Sequence, residues 1–253
     1  MGNSIIKVNN LVKKYGEFEA VKGISFEVQE GEIFGLLGPN GAGKTTTLEI
    51  IETLRKKTSG EVIVDGKDLD KDPQAIKNII GVQLQAAGYY PNLNLKQIIA
   101  LFSGLYNRSI DPMTLLDTVN LREKAKSKFK ELSGGQMQRF SIATTLINEP
   151  KIIFLDEPTT GLDPQARRNL WELIKQLRNR GATVVITTHY MDEAEELCER
   201  VAIIDSGHII ALSTPGELID KLLASGFKRS KAVKEANLED VFLSMTGKEW
   251  RDE

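Results

Sequence analysis

Two patterns of hydrophobic and polar positions alternate along the chain. Near the start, stretches in which about every second residue is apolar, SIIKVNNLVKKYG and EAVKGISFEVQEGE, flank a polar turn at Gly16 and predict an antiparallel strand pair. Later, short apolar runs such as EIFGLLG, KIIFLDE and TVVITTH alternate with segments of helical spacing. Apolar strands that alternate with helices are typical of a parallel sheet covered on both faces. We therefore predict an α/β fold with a mainly parallel sheet and an antiparallel β subdomain.

The middle of the chain changes character and predicts helices. A weaker helix follows Asp111, and another begins at LSGGQMQR. Ahead of these two, one apolar helical face is predicted from Leu95, Ile98, Ile99, Phe102, Leu105 and Tyr106. The tail NLEDVFLSM predicts a short helix with one apolar stripe, formed by Leu238, Val241, Phe242 and Met245. The predicted boundaries are 4–238 for the main domain, about 86–150 for an α-helical subdomain inserted in it, and 239–253 for the tail.

One helix has signals at both ends. The segment DPQARRNLWELIKQLRNRG begins with Asp163 as a candidate N-cap, places Pro164 in its first turn and stops at Gly181. Its predicted inward face consists of Leu170, Leu173, Ile174 and Leu177. Two further strands, RVAIID and HIIALS, are predicted to complete the sheet.

Composition narrows the class of protein. The 253 residues are 41% hydrophobic and 27% charged with a net charge of -2, which indicates a globular protein for which no nucleic-acid partner is expected. One cysteine excludes an internal disulfide, and two histidines without a cysteine cluster disfavour a structural zinc site. No stretch approaches the roughly 20 apolar residues of a membrane span, and the start lacks the features of a signal peptide. We expect a cytoplasmic protein.

The segment GPNGAGKT at 38 to 45 matches a phosphate-binding loop, with the required apolar strand before it. The helix predicted after it is KTTTLEIIETLRKK, in which Leu48, Ile51 and Leu54 recur at helical spacing. Glycines let backbone N–H groups approach phosphates at a helix N-terminus, Lys44 is expected to reach the β and γ phosphates, and the Thr45 hydroxyl is expected to bind Mg²⁺. The residues of this loop and its neighbour Thr46 are predicted to bind ATP: Gly38, Pro39, Asn40, Gly41, Ala42, Gly43, Lys44, Thr45 and Thr46.

Two other strand ends carry candidate catalytic groups. Asp156 and Glu157 follow the apolar run IIFL, so Asp156 is expected to orient Mg²⁺ and Glu157 to polarise an attacking water. An acid directly after the metal-orienting aspartate favours hydrolysis over transfer to another acceptor. His189 ends TVVITTH, where the loops of an open α/β sheet meet the ligand, and is a candidate γ-phosphate contact.

LSGGQMQR at 132 to 139 is a second glycine-rich helix start, although the phosphates of a bound nucleotide already have their donors in the first loop. The five motifs GPNGAGKT, LSGGQ, IIFLDEP, GLD and TTH, in their chain order, resemble the ATPase subunit of ATP-binding cassette (ABC) transporters over nearly the whole chain. In that family two subunits pack head to tail, and each LSGGQ closes over the nucleotide of the other. The resemblance therefore implies a homodimer and a contact across it by Ser133, Gly134, Gly135 and Gln136.

The resemblance also implies roles for three other residues. Tyr15, in KKYG, matches the aromatic that stacks on adenine, with a strand aromatic in the core as the alternative. Gln85 matches the glutamine that approaches Mg²⁺ and the catalytic water, and the nearby Gln83 fits the spacing less well. Asp163, in TGLD, matches a carboxylate that communicates with the partner subunit, which is compatible with its capping role.

GLDPQARRNLWELI and THYMDEAEELCERVAIIDSGHIIALSTPGEL resemble the ATPase chains of daunorubicin-type multidrug exporters. That resemblance implies a separate integral membrane permease as partner and a peripheral location on the inner face of the cell membrane. The alternative hypothesis is a transporter-independent soluble ABC ATPase, although the chain has neither the long coiled coil nor the second cassette of such proteins. A GTPase or kinase of the phosphate-loop type would lack LSGGQ, and the NKxD of GTPases is absent from the sequence.

Overall fold

Two β-sheets form the framework of the computed structural model, which describes residues 3–83, 88–227, 241, 244 and 245. The smaller sheet is antiparallel and consists of β1 (Ser4–Tyr15), β2 (Phe18–Gln29), β4 (Ser59–Val64) and β5 (Lys67–Asp68), in the order β2-β1-β4-β5. The predicted strand pair is confirmed, since β1 pairs antiparallel with β2 across the turn at Gly16. The Asp65–Gly66 turn then joins β4 to β5.

The larger sheet is mainly parallel, as predicted. It contains β3 (Ile33–Leu37), β6 (Ile80–Gln83), β7 (Ile152–Asp156), β8 (Thr183–Thr188), β9 (Arg200–Asp205) and β10 (His208–Ser213), in the order β10-β9-β3-β8-β7-β6. Only the edge strand β10 runs antiparallel to its neighbour. The carboxyl ends of β3, β8 and β7 therefore lie side by side at one edge of the sheet.

Eight α-helices are assigned in the described part of the chain. They are α1 (Lys44–Ile51), α2 (Pro73–Lys77), α3 (Leu95–Leu105), α4 (Pro112–Thr118), α5 (Gly134–Thr145), α6 (Pro164–Asn179), α7 (Met191–Leu197) and α8 (Pro215–Ala224). Short 3₁₀ helices at Arg122–Lys124 and Phe129–Glu131 connect α4 to α5. Helices α3, α4 and α5 form the predicted helical region between β6 and β7.

Two sequence expectations need correction. The helix after the phosphate loop ends at Ile51, and Leu54 is 55% exposed, because the chain turns at Thr53, whose φ is +64°. Helix α8 was not predicted, although Thr214 and Glu217 form a capping box at its start. The predicted start, stop and buried face of α6 are confirmed, with Asp163 as N-cap and Leu170, Leu173, Ile174 and Leu177 buried.

The alternation of side chains along the buried strands creates a core on each face of the larger sheet. In β3, Ile33 and Leu37 belong to the core shared with α6, α7 and the helical region. Phe34 and Leu36 point the other way, into a core shared with α1 and the smaller sheet. This packing places α1 between the two sheets and fixes the loop before it.

The tail is described at only three positions. Val241 is buried in the core that contains α6, whereas Met245 is 48% exposed, so Met245 does not share a buried stripe with it. Leu238 and Phe242 lie outside the described residues, and the domain boundaries remain predictions. No helix in the described ranges has the length and apolar character needed to cross a bilayer.

Candidate nucleotide-binding site

The predicted catalytic and phosphate-binding residues meet at the carboxyl ends of β3, β7 and β8. The phosphate loop follows β3, Asp156 ends β7 and His189 follows β8. Beside them lies an open cavity of about 480 Å³. It is lined by Tyr15, Phe18, Ala20, Asn40, Gly41, Gly43, Lys44, Thr45, Thr46 and Glu157.

The phosphate loop wraps around the N-terminus of α1. Gly43 is the N-cap of α1 with φ of +104°, and a Cβ on it would come within 2.6 Å of the Ala20 carbonyl oxygen. Only glycine fits this position, because both the backbone conformation and the space exclude a side chain. The positive end of the α1 dipole faces the cavity and favours an anion there.

Lys44 is held inside the loop by its own backbone. Its Nζ donates to the carbonyl oxygens of Gly38 at 2.8 Å and Pro39 at 3.1 Å, and lies 3.4 Å from Glu157 Oε1. Burial lowers the pKa of Lys44, whereas the charges of Glu157 and Asp156 oppose that shift. The ammonium group is therefore aimed at the cavity and balanced by a carboxylate that a phosphate can replace.

The predicted metal-binding pair is in contact. Thr45 Oγ1 lies 3.2 Å from both carboxylate oxygens of Asp156, and the buried Thr187 hydroxyl donates to Asp156 Oδ1. Burial raises the pKa of Asp156, and the two threonine hydroxyls oppose the shift. No three His, Cys, Asp or Glu side chains cluster as metal ligands within the described ranges. The Thr45 hydroxyl and the Asp156 carboxylate supply oxygen ligands of the kind that Mg²⁺ takes together with phosphate and water.

Glu157 lies at the centre of the site in a strained conformation. Its φ is +49°, a left-handed value that costs a non-glycine residue about 1 kcal/mol or more. The Glu157 N–H donates to Thr187 Oγ1 at 3.0 Å, Oε2 accepts from the Thr160 hydroxyl at 3.3 Å, and Oε2 is 3.3 Å from His189 Nδ1. The contact with His189 lacks hydrogen-bond geometry.

Thr187 is a site residue that sequence reasoning missed. Its hydroxyl both donates to Asp156 and accepts from the Glu157 N–H, so one side chain orients two acids. The TTH motif contains the residue, but a threonine in a buried strand carries no sequence signal for such contacts.

Tyr15 is surface-accessible at the end of β1, with 41% of its area exposed, so the core alternative is wrong. Phe18 pairs with it across the hairpin and is 64% exposed. Lys13 Nζ lies 4.9 Å and the Arg55 guanidinium 5.4 Å from the centre of the Tyr15 ring. Both exposed rings line the cavity.

The LSGGQ segment is the capped start of α5. The Ser133 hydroxyl accepts from the Gln136 N–H, and the Ser133 N–H donates to Gln136 Oε1 at 3.0 Å. A Cβ on Gly135 would lie 2.9 Å from the Ala166 Cβ, so this glycine permits contact with α6. Gly134 is exposed. None of the four residues lines the cavity of its own chain.

Two further predicted residues have different outcomes. Asp163 is exposed and caps α6, because its Oδ1 accepts from the N–H groups of Gln165 and Ala166, each at 2.9 Å. Gln85 lies outside the described residues. Gln83, the less favoured candidate, is buried and donates from Nε2 to Gln138 Oε1.

A comparison with protein families matches residues 21–160 to the ABC transporter family. The linearmycin resistance ATP-binding protein LnrL of Bacillus subtilis (strain 168) is 40% identical over 86% of this chain and 72% of its own length. The Nod factor export ATP-binding protein I of Burkholderia orbicola (strain AU 1054) is 34% identical over 98% of each chain. The chain therefore belongs to the ABC transporter family, as one of its ATP-binding, ATP-hydrolysing subunits.

Solved structures support the same assignment. The ATP-binding subunit of an ABC transporter superimposes with a TM-score of 0.82 at 25% identity, over 96% of this chain and 100% of that one. The cassette MJ0796, a dimer bound to ADP and Pi in a post-hydrolysis state, gives a TM-score of 0.74 at 31% identity, over 83% and 98%. The predicted fold class and family are confirmed, and the transporter-independent alternative is not favoured.

Proposed function

We propose that two copies of this chain bind Mg²⁺ and ATP between them and that hydrolysis drives export through a separate membrane permease. The observation that carries the proposal is the position of Glu157, which lies 3.4 Å from the phosphate-loop Lys44 and 3.3 Å from His189. This arrangement joins a cation for phosphate, a carboxylate base and a histidine in one site.

The chain's own residues account for substrate binding. Lys44 exchanges its contact with Glu157 for the β and γ phosphates, while the loop N–H groups and the α1 N-terminus bind the remaining phosphate oxygens. Tyr15 offers an exposed ring face for adenine. Thr45 and Asp156 would hold Mg²⁺, which neutralises phosphate charge when bound.

Hydrolysis is assigned to the groups beside the phosphates. Glu157, released from Lys44 by the incoming phosphate, orients and polarises the attacking water as general base. His189 contacts the γ-phosphate, and Gln85 is proposed to approach the metal ion and the water. Thr187 holds the Glu157 backbone and Asp156 during this step.

The partner subunit completes the site. The segment Ser133, Gly134, Gly135 and Gln136 begins a helix and does not line the chain's own cavity, so the anion-binding capacity of the helix N-terminus is available to a nucleotide on a second copy. Asp163, exposed at the start of α6, is proposed to communicate with that copy. Related cassette MJ0796 forms a dimer, which supports this interpretation.

The assignment of Glu157 is tested by Glu157→Gln, which keeps the side-chain shape and removes the base. We expect turnover to fall about 10²-fold or more, because general-base catalysis contributes on that scale. ATP binding should persist, and ATP should convert the monomer to a stable dimer in light-scattering measurements. Lys44→Ala is the contrasting variant and should lose nucleotide binding. Parental turnover by Glu157→Gln would remove Glu157 from the role of base.

A docking surface for the permease is available between the helical region and the sheet. A cavity of about 720 Å³ is lined from both sides, with Leu54, Leu105 and Tyr106 exposed at its rim. Its lining also includes Glu52 and Gln83, whose buried Oε1 atoms have no hydrogen-bond partner among the described residues. An apolar permease segment with a hydrogen-bond donor would fit this surface.

Leu105→Asp tests the permease contact, because a carboxylate at an apolar rim disfavours docking. We expect basal ATPase activity to be unchanged and co-purification with the cognate permease to be lost. Leu223→Asp is the matched control, since Leu223 is 42% exposed on α8 and does not line the cavity. Equal permease binding by both variants would place the contact elsewhere.

Export, rather than uptake, is supported by relatives named for linearmycin resistance and Nod factor export. The proposed location follows from the partner: the chain lies in the cytoplasm at the inner face of the membrane, bound to the permease. No nucleic-acid partner is proposed.

A further inference from the structure

Helix α6 is joined to α7, and to Glu199 just after the end of α7, by a ladder of polar side-chain contacts. The four pairs are Arg167–Asp192, Trp171–Glu193, Lys175–Glu196 and Arg178–Glu199. Three of these pairs are ion pairs between at least partly exposed groups, which contribute little to stability. The contact between Trp171 and Glu193 differs, because Glu193 is 0% exposed.

The carboxyl of Glu193 lies among groups from three segments. Its Oε1 accepts from Trp171 Nε1 at 3.0 Å. Burial raises the pKa of Glu193, whereas the hydroxyls of Thr188 and Thr159 and the Trp171 N–H lower it. Glu193 Oε2 and Thr159 Oγ1 are both buried, and neither has a hydrogen bond of normal geometry among the described residues.

Each of the three segments carries a residue of the nucleotide site. Thr188 directly precedes His189, Thr159 lies between Glu157 and Asp163, and Trp171 belongs to the helix that Asp163 caps. The Thr188 hydroxyl also accepts from the Tyr190 N–H at 2.9 Å, which shapes the turn that contains His189. The buried carboxyl is therefore hydrogen-bonded to the helix that Asp163 caps, and it lies near Thr188 and Thr159, which are close in the chain to His189 and Glu157.

Stability alone does not account for this carboxyl. Burying a carboxyl whose second oxygen has no hydrogen bond is unfavourable, and an apolar side chain of similar size would avoid that penalty. A role in orienting the neighbouring loops gives a reason for the polar group.

We propose that Glu193 is a positioning residue that fixes the loop carrying His189 against the loop from Glu157 to Asp163. This inference rests on the roles proposed above for His189 and Asp163. Because Glu193 does not line the cavity, it acts on the alignment of the groups around the γ-phosphate and not on nucleotide binding.

The test compares Glu193→Leu with Glu193→Gln, which keeps an acceptor for Trp171. Glu193→Leu should lower kcat about tenfold or more, since small displacements of catalytic groups cost up to about 10²-fold. Its KM and its affinity for ATP should stay within about twofold of the parent, and Glu193→Gln should restore most of the kcat. The matched control is Glu196→Gln, which removes an exposed pair of the same ladder and should leave kcat unchanged.

Thr159→Val keeps the test decisive if Glu193→Leu does not fold. This change keeps the shape of the side chain and removes one of the hydroxyls that act on the Glu193 carboxyl, so a merely structural role predicts unchanged kcat, whereas we expect a several-fold loss at unchanged ATP affinity. Parental kcat in Thr159→Val or Glu193→Leu would overturn the inference. His189→Ala distinguishes a failure of the proposed role of His189 from a failure of the inference about Glu193. If His189→Ala retains turnover, the proposed role of the histidine fails, and the inference that depends on it fails as well.

Discussion

At the scale of single residues, the buried carboxyl of Glu52 makes the stability of the protein depend on pH. The side chain is 3% exposed at the C-terminal end of α1, where a negative charge also opposes the helix dipole. Burial, and secondarily the charges of Asp156 and Glu49, raise the pKa of Glu52 to about 8. The folded protein therefore holds a proton that the unfolded chain, with its ordinary pKa of 4.5, releases.

The sign of the pH dependence follows from this proton. Between about pH 4.5 and 8 the folded state binds more protons than the unfolded state, so the free energy of unfolding falls as pH rises through that window. We expect Glu52→Gln to flatten this slope and to stabilise the protein at pH 8.5 by something on the order of 3 kcal/mol. Chemical unfolding at pH 5, 7 and 8.5 measures the effect.

Glu49→Gln is the control for that experiment. Glu49 lies on the same helix, but its carboxylate is 30% exposed and pairs with Arg55. Its removal should leave the pH slope close to that of the parent. Parallel slopes for the parent and Glu52→Gln would show that Glu52 is charged in the folded protein at neutral pH.

At the scale of elements, the same local device serves two different purposes. Helices α5 and α8 both begin with a capping box, formed by Ser133 with Gln136 and by Thr214 with Glu217. The α8 box only ends a strand and starts a helix, whereas the α5 box starts the helix proposed to face a partner's nucleotide. A comparison of substitutions in the two capping boxes can therefore separate helix capping from recognition of the partner's nucleotide.

Ser133→Ala and Thr214→Ala each remove one cap and should each cost about 1 kcal/mol of stability. Only Ser133→Ala should also lower turnover and ATP-driven dimerisation, because its hydroxyl is proposed to contact the partner's nucleotide. Thermal unfolding and phosphate release are measured on both variants. If both variants lost the same stability and had the same turnover, Ser133 would serve only as a helix cap and would not contact the partner's nucleotide.

The elements also show what the sequence can and cannot predict. Strand β3, the loop after it and helix α6 were predictable, because hydrophobic period, glycine content and capping residues act within a few neighbouring positions. Helix α8 was missed even though its capping box is visible in the sequence. The end of α1 was misplaced because Thr53 adopts a left-handed conformation that its residue type does not suggest.

Some residues of the site could be predicted from the sequence and others could not. Lys44, Thr45, Asp156, Glu157 and His189 lie in local motifs, and the structure brings them together at one sheet edge. Thr187 and Glu193 act through contacts with segments about 30 residues away in the chain, which no local pattern encodes.

At the scale of the whole molecule, the phosphate loop and the LSGGQ segment lie apart in the chain. Lys44 and Glu157 line the cavity, whereas Ser133 begins a helix outside it. In the proposed symmetric dimer, each composite site would take its phosphate loop from one copy and its LSGGQ segment from the other. Two chains that carry substitutions in different motifs should then complement each other, because a mixed dimer contains one intact composite site.

Mixing Lys44→Ala with Ser133→Arg chains tests this geometry. With either variant alone, both composite sites of any dimer would be defective. A mixed dimer instead pairs the intact phosphate loop of the Ser133→Arg chain with the intact LSGGQ of the Lys44→Ala chain. With random pairing, about half of the dimers are mixed and carry one good site of two, so sites recover to about a quarter of the parental number. ATP-dependent association and phosphate release are measured on the mixture, with the double variant Lys44→Ala/Ser133→Arg added to parental chains as control. Recovery in the mixture requires that the two motifs act across the interface. If the mixture is no more active and no more associated than its separate components, LSGGQ contacts the nucleotide of its own chain or contacts no nucleotide.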